Sequence, residues 1–306
     1  MNRILITGAS GFIGRHVVET LKCDESYEIH AISRTDSQFA YKNNDGVVWH
    51  SVNLFDPSQI EQCLEKVRPT RLIHLAWDAT PGQYVKSVSN YQWVEATLCI
   101  IRHFVRFGGE RAVIAGTCAE YDWTQGILFE DSRLLSFDTP YSACKNHTRA
   151  LLSHYAQQTG LSLGWARLFF LYGPYEQPTR LVPTIINSLI KNQTAKCTMG
   201  KQLRDFLYVE DAANAIVKIL DSNYSGTVNV SSGEAISVID LVRQIAHKFD
   251  KLNLIHQGAI QETVPQAPLV QGDNKLLRTL GWSEKYSLNS GLEKTINWWK
   301  QNINRW

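Results

Sequence analysis

No run of 18 or more apolar residues occurs in the 306-residue sequence, so no membrane span is expected. Net charge is nearly absent, at +2, which argues against a dedicated nucleic-acid binder. The six cysteines (Cys23, Cys63, Cys99, Cys118, Cys144, Cys197) contain no C-x-x-C pair. In a cytosolic chain of this size they read as reduced and mostly buried. The nine histidines show no metal-ligand spacing, and no metal is expected. Neither a signal-peptide apolar region nor a cleavage site is found in MNRILITGASG, so the cytoplasm is the default location. Internal repeats, low-complexity tracts and long linkers are missing too.

What is there is ordinary globular composition, 44% hydrophobic and 20% charged, enough for a sizeable core in one large domain or two linked ones. Short apolar runs alternate with helical patterns. Strands are predicted at Arg3 to Thr7, Tyr27 to Ile32, Val47 to Val52, Leu72 to Ala76, Ala112 to Ala115 and Leu161 to Phe169. Helices are predicted at Phe12 to Leu21, Ser58 to Val67, Tyr84 to Phe107 and Pro140 to about Gln158. Unbroken apolar strands alternating with helices imply a parallel sheet covered on both faces, an α/β doubly wound arrangement. After Tyr172-Gly173-Pro174 the rhythm becomes irregular, with helical patterns at Leu181 to Lys191, Asp211 to Leu220, Val238 to Phe249 and Leu288 to Asn302. A first α/β domain over 1–174 and a smaller α/β lobe over 175–306 are expected, with some later segments free to return to the first sheet.

Three features carry chemistry. The first is TGASGFIG, with Gly8, Gly11 and Gly14 between a strand and a helix. Gly8 permits the tight turn, Gly11 lets backbone approach a pyrophosphate, and Gly14 lets the helix pack on the strand. Unpaired N–H groups at the helix start then meet phosphate charge. The second is PYSACK, which sets Tyr141 and Lys145 four apart on one helical face. A positive charge about 4 Å from a phenol contributes roughly 4 kcal/mol at an effective dielectric near 20, or about three pKa units. One lysine can thus bring a tyrosine toward working pH, where acid–base catalysis is most efficient. The third is Thr117, in VIAGTCAEYDW at the C-terminal end of a strand, where open α/β sheets bind ligands.

Together, the G-x-x-G-x-x-G turn, Tyr141 and Lys145 resemble the extended short-chain dehydrogenase/reductase family, the NAD-dependent epimerase/dehydratases. RLFFLYGP (167–174), RDFLYVEDAA (204–213) and DNKLLRTLGW (273–282) extend the resemblance over nearly the whole chain. It implies a Rossmann fold and a catalytic Thr117, Tyr141 and Lys145, the lysine also holding the nicotinamide ribose. It implies cofactor contacts from Gly8, Ser10, Gly11, Phe12, Ile13, Gly14, Ser33, Arg34, Asn53, Leu54, Leu75 and Ala76. Thr117, Cys118 and Arg204 are implied on the substrate side, Arg204 facing the diphosphate of a sugar nucleotide. A homodimer through the helices at Tyr84 to Phe107 and Tyr141 to Gln158 is also a family expectation.

Departures from the family pattern narrow the chemistry. Relatives that dehydrate sugars place Asp-Glu after the hydroxyl residue; here Cys118 and Ala119 stand there, and neither serves an elimination. Phe170 replaces a common Asn, and 264–268 reads Val-Pro-Gln-Ala-Pro where a later arginine is usual. Within the family, CTMGKQLRDFLYVEDAANA and GAIQETVP are most similar to nucleotide-sugar 4-ketoreductases of the CDP-abequose and CDP-paratose synthase type. Finally, in EIHAISRTDS the strand ends at Ile32 and is followed by Ser33 and Arg34, where NAD-dependent relatives present an acid. A hydroxyl and a guanidinium favour a 2′-phosphate, and Arg34 follows Gly8 by 26 residues, near the expected offset of about 20. NADP(H) rather than NAD is therefore expected, with reduction of a nucleotide-linked 4-ketosugar as the reaction. Two rival readings stand beside it: an NAD-dependent 4-epimerase, and a catalytically idle relative that senses dinucleotide.

Overall fold

The computed structural model describes residues 2–34, 46–262 and 266–303. The first part of the chain gives β1 (Asn2–Thr7), α1 (Phe12–Leu21), β2 (Tyr27–Ser33), β3 (Val47–Ser51), α2 (Pro57–Val67), β4 (Arg71–His74), α3 (Ser89–Arg106) and β5 (Arg111–Thr117). There follow β6 (Ile127–Leu128), α4 (Pro140–Thr159), β7 (Ser162–Leu168), β8 (Phe170–Tyr172), α5 (Leu181–Ile190), β9 (Ala195–Cys197) and β10 (Leu203–Tyr208). The last part holds α6 (Val209–Asp221), β11 (Gly226–Val230), β12 (Ala235–Ser237), α7 (Val238–His247), β13 (Ile255–Gln257), β14 (Leu269–Gly272), α8 (Lys275–Thr279) and α9 (Leu288–Asn302).

Seven strands form a parallel sheet in the order β11-β7-β5-β4-β1-β2-β3. Alternate strand residues feed two cores. Ile4, Ile6, Ile29 and Ala31 pack with Val17 and Val18 of α1 and with Ala212 and Ile216 of α6. Leu5, Ile32 and Leu72 pack on the other face with Leu64 of α2, Ile100 and Phe104 of α3, and Leu152 of α4. Such a sheet, buried on both faces, is the doubly wound α/β fold. Strand order reverses between β1 and β4, and at that switch point the ends of neighbouring strands open a crevice.

The later chain returns to this sheet through β11, which pairs with β7, and through α6, which packs against α1. The remainder builds a smaller lobe. Its sheet runs β12-β10-β14-β6, with β8 beside β10, and its core joins α5, α7 and α9. The expected start of α3 moves furthest: the helix begins at Ser89 and not at Tyr84. Residues 81–86 form turns instead, and Ser87 Oγ accepts from the Ser89 N–H at 3.1 Å just ahead of the helix.

Candidate active site

The glycine turn lies at the switch point. Gly8 has φ +68°, and a Cβ there would meet the Ala76 nitrogen at 2.9 Å. A Cβ on Gly14 would lie 2.1 Å from the Gly8 carbonyl oxygen, so α1 leaves β1 closely only because position 14 is bare. Gly11 caps α1 without any side-chain bond to the helix. The amides at this helix start therefore face outward, which is the donor set an anionic diphosphate requires. The residues present fit a dinucleotide. Arg15 braces the turn: its Nε donates to the Ser10 carbonyl at 2.8 Å, and its guanidinium lies 4.7 Å over the Tyr175 ring.

A buried relay holds the opposite wall of the crevice. Thr97 donates its hydroxyl to the Trp93 carbonyl at 2.7 Å, so toward His74 it can only accept. His74 Nε2 then donates to Thr97 at 3.0 Å, and Nδ1 accepts from Thr7 at 2.8 Å. Thr7 Oγ1 in turn accepts from the Ala76 N–H at 3.3 Å. Burial pushes the imidazole down to about 3, with the Lys145 charge acting the same way. His74 is thus a neutral strut that fixes Leu75 and Ala76 against Gly8.

At the far end, Thr7 of β1 sits opposite Ile32 of β2, so Ser33 and Arg34 lie just past the pair, on the edge that carries Gly8. Ser33 is buried and Arg34 exposed. Asn53 uses Oδ1 to accept from the Phe55 N–H at 3.1 Å, and Leu54 beside it is buried.

Thr117 ends β5 and caps a single 3-10 turn, Cys118–Glu120. Its Oγ1 accepts from the Ala119 N–H at 3.2 Å, and its hydroxyl faces Tyr141 closely enough to act on the phenol's proton affinity. Glu120 reaches back from the turn to accept the Thr117 N–H at 2.8 Å. Tyr141 enters on the first turn of α4, behind a Thr139–Ser142 capping box and Pro140. The Tyr84 ring stands edge-on to Tyr141 at 4.8 Å, and the Trp77 ring at 6.4 Å.

Lys145 departs from expectation. Its ammonium donates to the Ala115 carbonyl at 2.9 Å and sits 3.7 Å from the centre of the Trp77 ring. Burial, followed by Tyr84, raises the Tyr141 phenol above its ordinary value, and only the Thr117 hydroxyl pulls it down appreciably. The physical reason is that a buried ammonium must find partners, and Lys145, 3% exposed, finds them in a carbonyl and an aromatic face. Burial also lowers Lys145 itself to about 7, opposed by Glu120.

On the other side of the cleft, Cys118 is buried with Tyr121, Leu128, Phe169 and Val270, and burial pushes its thiol up to about 12. Arg204 is held by the carbonyls of Leu203 and Ala267, both at 2.8 Å, and by Gln266 Oε1 at 3.3 Å. Its guanidinium lies 5.7 Å from the rings of Trp123 and Phe170. Asp205 accepts from Ser232, Gly233 and Gly272, tying β10 to the loop after β11 and to β14. Part of GAIQETVP, residues 263–265, lies outside the described residues, as do 35–37 of EIHAISRTDS.

A family model described as "NAD dependent epimerase/dehydratase family" matches residues 4–231. The chain belongs to that family. CDP-abequose synthase of Salmonella typhimurium is 26% identical over 310 residues, covering 96% of this chain and 97% of that protein. The fold is that of dTDP-glucose 4,6-dehydratase from Bacillus anthracis, solved with NAD (TM-score 0.87, 20% identity, 100% and 99% coverage). It is equally that of UDP-glucose 4-epimerase from Thermotoga maritima, solved with UDP-glucose (TM-score 0.86, 20% identity, 98% and 99% coverage).

Sequence reading missed several residues of this epimerase/dehydratase-family site. Trp77, Tyr84 and Arg180 reach it through loops, with Arg180 Nη2 donating to the Ala79 carbonyl at 2.9 Å and its guanidinium 5.4 Å over Tyr84. Only Trp77 had a local signal, as a tryptophan immediately after the Leu75-Ala76 wall. Among the described residues, no helix is long and apolar enough to cross a membrane.

Proposed function

We propose that the protein is an NADPH-dependent reductase of the 4-keto group of a nucleotide-linked hexose or deoxyhexose. The observation that carries this reading is Arg34, exposed directly after β2 on the crevice edge that holds the glycine turn, with Ser33 before it. A guanidinium there attracts a 2′-phosphate, where an acid would repel it. Cys118, buried with its thiol pushed up, and Ala119 supply no acid or base for a dehydration. Similarity to a CDP-abequose synthase points the same way.

When bound, the nicotinamide supplies a hydride. Gly8, Gly11 and Gly14 hold the diphosphate, with Ser10, Phe12 and Ile13 around it; Leu75 and Ala76 form the wall, and Asn53 and Leu54 lie toward the adenine. Lys145 holds the nicotinamide ribose and contributes positive charge. Thr117 aligns the reacting oxygen beside Tyr141. A phenol raised by burial keeps its proton, so Tyr141 is equipped to give one to an oxygen gaining negative charge. Arg204 flanks the substrate side among Trp123 and Phe170. We extend the proposal to a homodimer through α3 and α4, beside which Val88, Tyr91 and Leu151 stand exposed.

The test is direct. NADPH binds more tightly than NADH, and Arg34→Ala cuts NADPH affinity by about 10- to 100-fold while leaving NADH little changed, as expected for charge-assisted hydrogen bonds of ~1.5–3 kcal/mol. A panel of nucleotide 4-ketosugars oxidises NADPH, and Tyr141→Phe binds NADPH but loses most turnover. Equal or better NADH binding overturns the reading. Protein carrying tightly held NAD and active without added reductant replaces it with a 4-epimerase, and no turnover on any ketosugar replaces it with a dinucleotide sensor.

A further inference from the structure

The environment of Lys145 contains a device that its expected role does not require. Trp77 presents its ring face to the ammonium at 3.7 Å. The indole is pinned: Nε1 donates to Asn90 Oδ1 at 2.8 Å, and Asn90 Nδ2 donates to the carbonyls of Tyr84 at 2.7 Å and Ser87 at 2.8 Å. Asn90 is 1% exposed, and Trp93 stacks on Trp77 at 6.3 Å with an interplanar angle of 25°. The ring is therefore fixed in orientation before Lys145 meets it.

Lys145 needs such help. It is sealed from water, and among the described residues its hydrogen bond is to one neutral carbonyl, that of Ala115. Titratable and charged groups around it come from several elements. His74 on β4 is neutral, and Tyr141 and Cys144 on α4 keep their protons. Glu120, in the turn after β5, is the nearby anion, but its carboxylate is already engaged by Arg167 of β7 at 2.7 Å, with Arg149 of α4 4.0 Å away. No carboxylate is thus dedicated to Lys145, and burial alone would drive it toward the neutral amine. A ring face attracts the cation and leaves the neutral amine almost indifferent.

We propose that Trp77 is a positioning residue that holds Lys145 at the site in its protonated form through a cation–π contact. The assignment rests on Lys145 acting in the proposed reduction only for its catalytic consequence; the contact itself is tested without turnover. Trp77 also faces Tyr141, so the same ring fixes the spacing between lysine and phenol.

The experiment replaces Trp77 site-specifically with mono-, di- and trifluorotryptophan, which keep the ring shape and weaken its negative face stepwise. The Lys145 ammonium is followed by NMR of the isotope-labelled chain, with Lys145→Arg giving the assignment. The Lys145 midpoint is expected to fall with each fluorine, by about one pH unit in total, a tenfold change in proton affinity. Trp77→Phe falls between wild type and the trifluoro form. The alkaline limb of kcat moves in the same order, while KM for the sugar nucleotide changes little. A midpoint unmoved across the fluorine series overturns the proposal. Failure of every ketosugar to react, with the titration still stepped, overturns the reductase reading and leaves the contact standing.

Discussion

Glu120 and Arg167 form an ion pair at 2.7 Å with both side chains closed to solvent. The carboxylate also takes the Trp165 indole N–H at 3.0 Å and the Thr117 N–H at 2.8 Å, so it joins β7 to the residue proposed to align the substrate oxygen. Removing one partner of a buried pair leaves the other charge unpaired, a cost of about 3–5 kcal/mol. Glu120→Ala is expected to lose about that much in urea unfolding and to weaken turnover through a misplaced Thr117. Glu120→Gln keeps an acceptor for the Thr117 N–H and loses less. A loss below about 1 kcal/mol for the alanine variant contradicts this role.

Two glycines with different surroundings separate backbone strain from collision. Gly160, after α4, has φ +75° and nothing within 4 Å of its missing Cβ. Gly160→Ala should cost about 1–2 kcal/mol from the left-handed conformation alone and leave dinucleotide binding intact. Gly14 would set a methyl 2.1 Å from a backbone oxygen that has no side-chain freedom to yield. Gly14→Ala must push α1 off β1, so dinucleotide affinity should fall at least tenfold along with stability. Circular dichroism melts and binding isotherms on both variants distinguish the two costs.

The parts of this site legible in sequence are those whose chemistry is local. The glycine turn, Thr117, and Tyr141 with Lys145 are each fixed by spacing within one strand end or one helical turn, and the structure brings Thr117 and Tyr141 into contact. The parallel sheet was legible because both cores draw on alternate residues of unbroken apolar strands. What sequence could not give depends on long-range pairing. The lysine was expected to depress the phenol directly, yet Ala115, 30 residues earlier, and Trp77, 68 residues earlier, capture the ammonium. The return of β11 to the first sheet is equally silent, since a short GTVNV strand carries no sign of which edge it joins.

On the edge of the large sheet, His30 and His50 share a ring-to-ring hydrogen bond at 2.9 Å, with Glu28 3.1 Å from the other His30 nitrogen. That bond needs one ring nitrogen without a proton, so the two rings cannot both be imidazolium ions. Burial, then the neighbouring His30, lowers His50 to about 4. Its folded value lies below the unfolded one, so the unfolded chain binds the proton first and stability is lost as pH falls from about 6.5 through 4. The melting temperature of His50→Gln minus that of wild type should therefore climb as pH falls from 7.5 to 5, the difference cancelling His74 and the raised carboxyls. A level difference assigns no acid sensitivity to His50.

Glu176 carries the opposite sign. It lies in the loop after β8, 6% exposed, its backbone N–H donating to the Gly173 carbonyl and its Oε2 without a hydrogen-bond partner. Burial pushes this acid up to about 8 from an ordinary 4.5, against the pull of Arg180. A raised carboxyl contributes stability that is complete below pH 4.5 and lost as pH rises through about 8, because the unfolded chain releases the proton more readily. Glu176→Gln removes that ionisation while keeping the side chain's size and polarity. The variant's melting temperature minus that of wild type should therefore climb between about pH 4.5 and pH 8 and be level on either side of that window. Taking the difference cancels Lys145, whose lowered value makes both proteins gain stability as pH rises from about 7 toward 10.5. A difference curve that is level across the whole range would show the carboxyl to be ionised throughout, with Arg180 and not burial governing its charge.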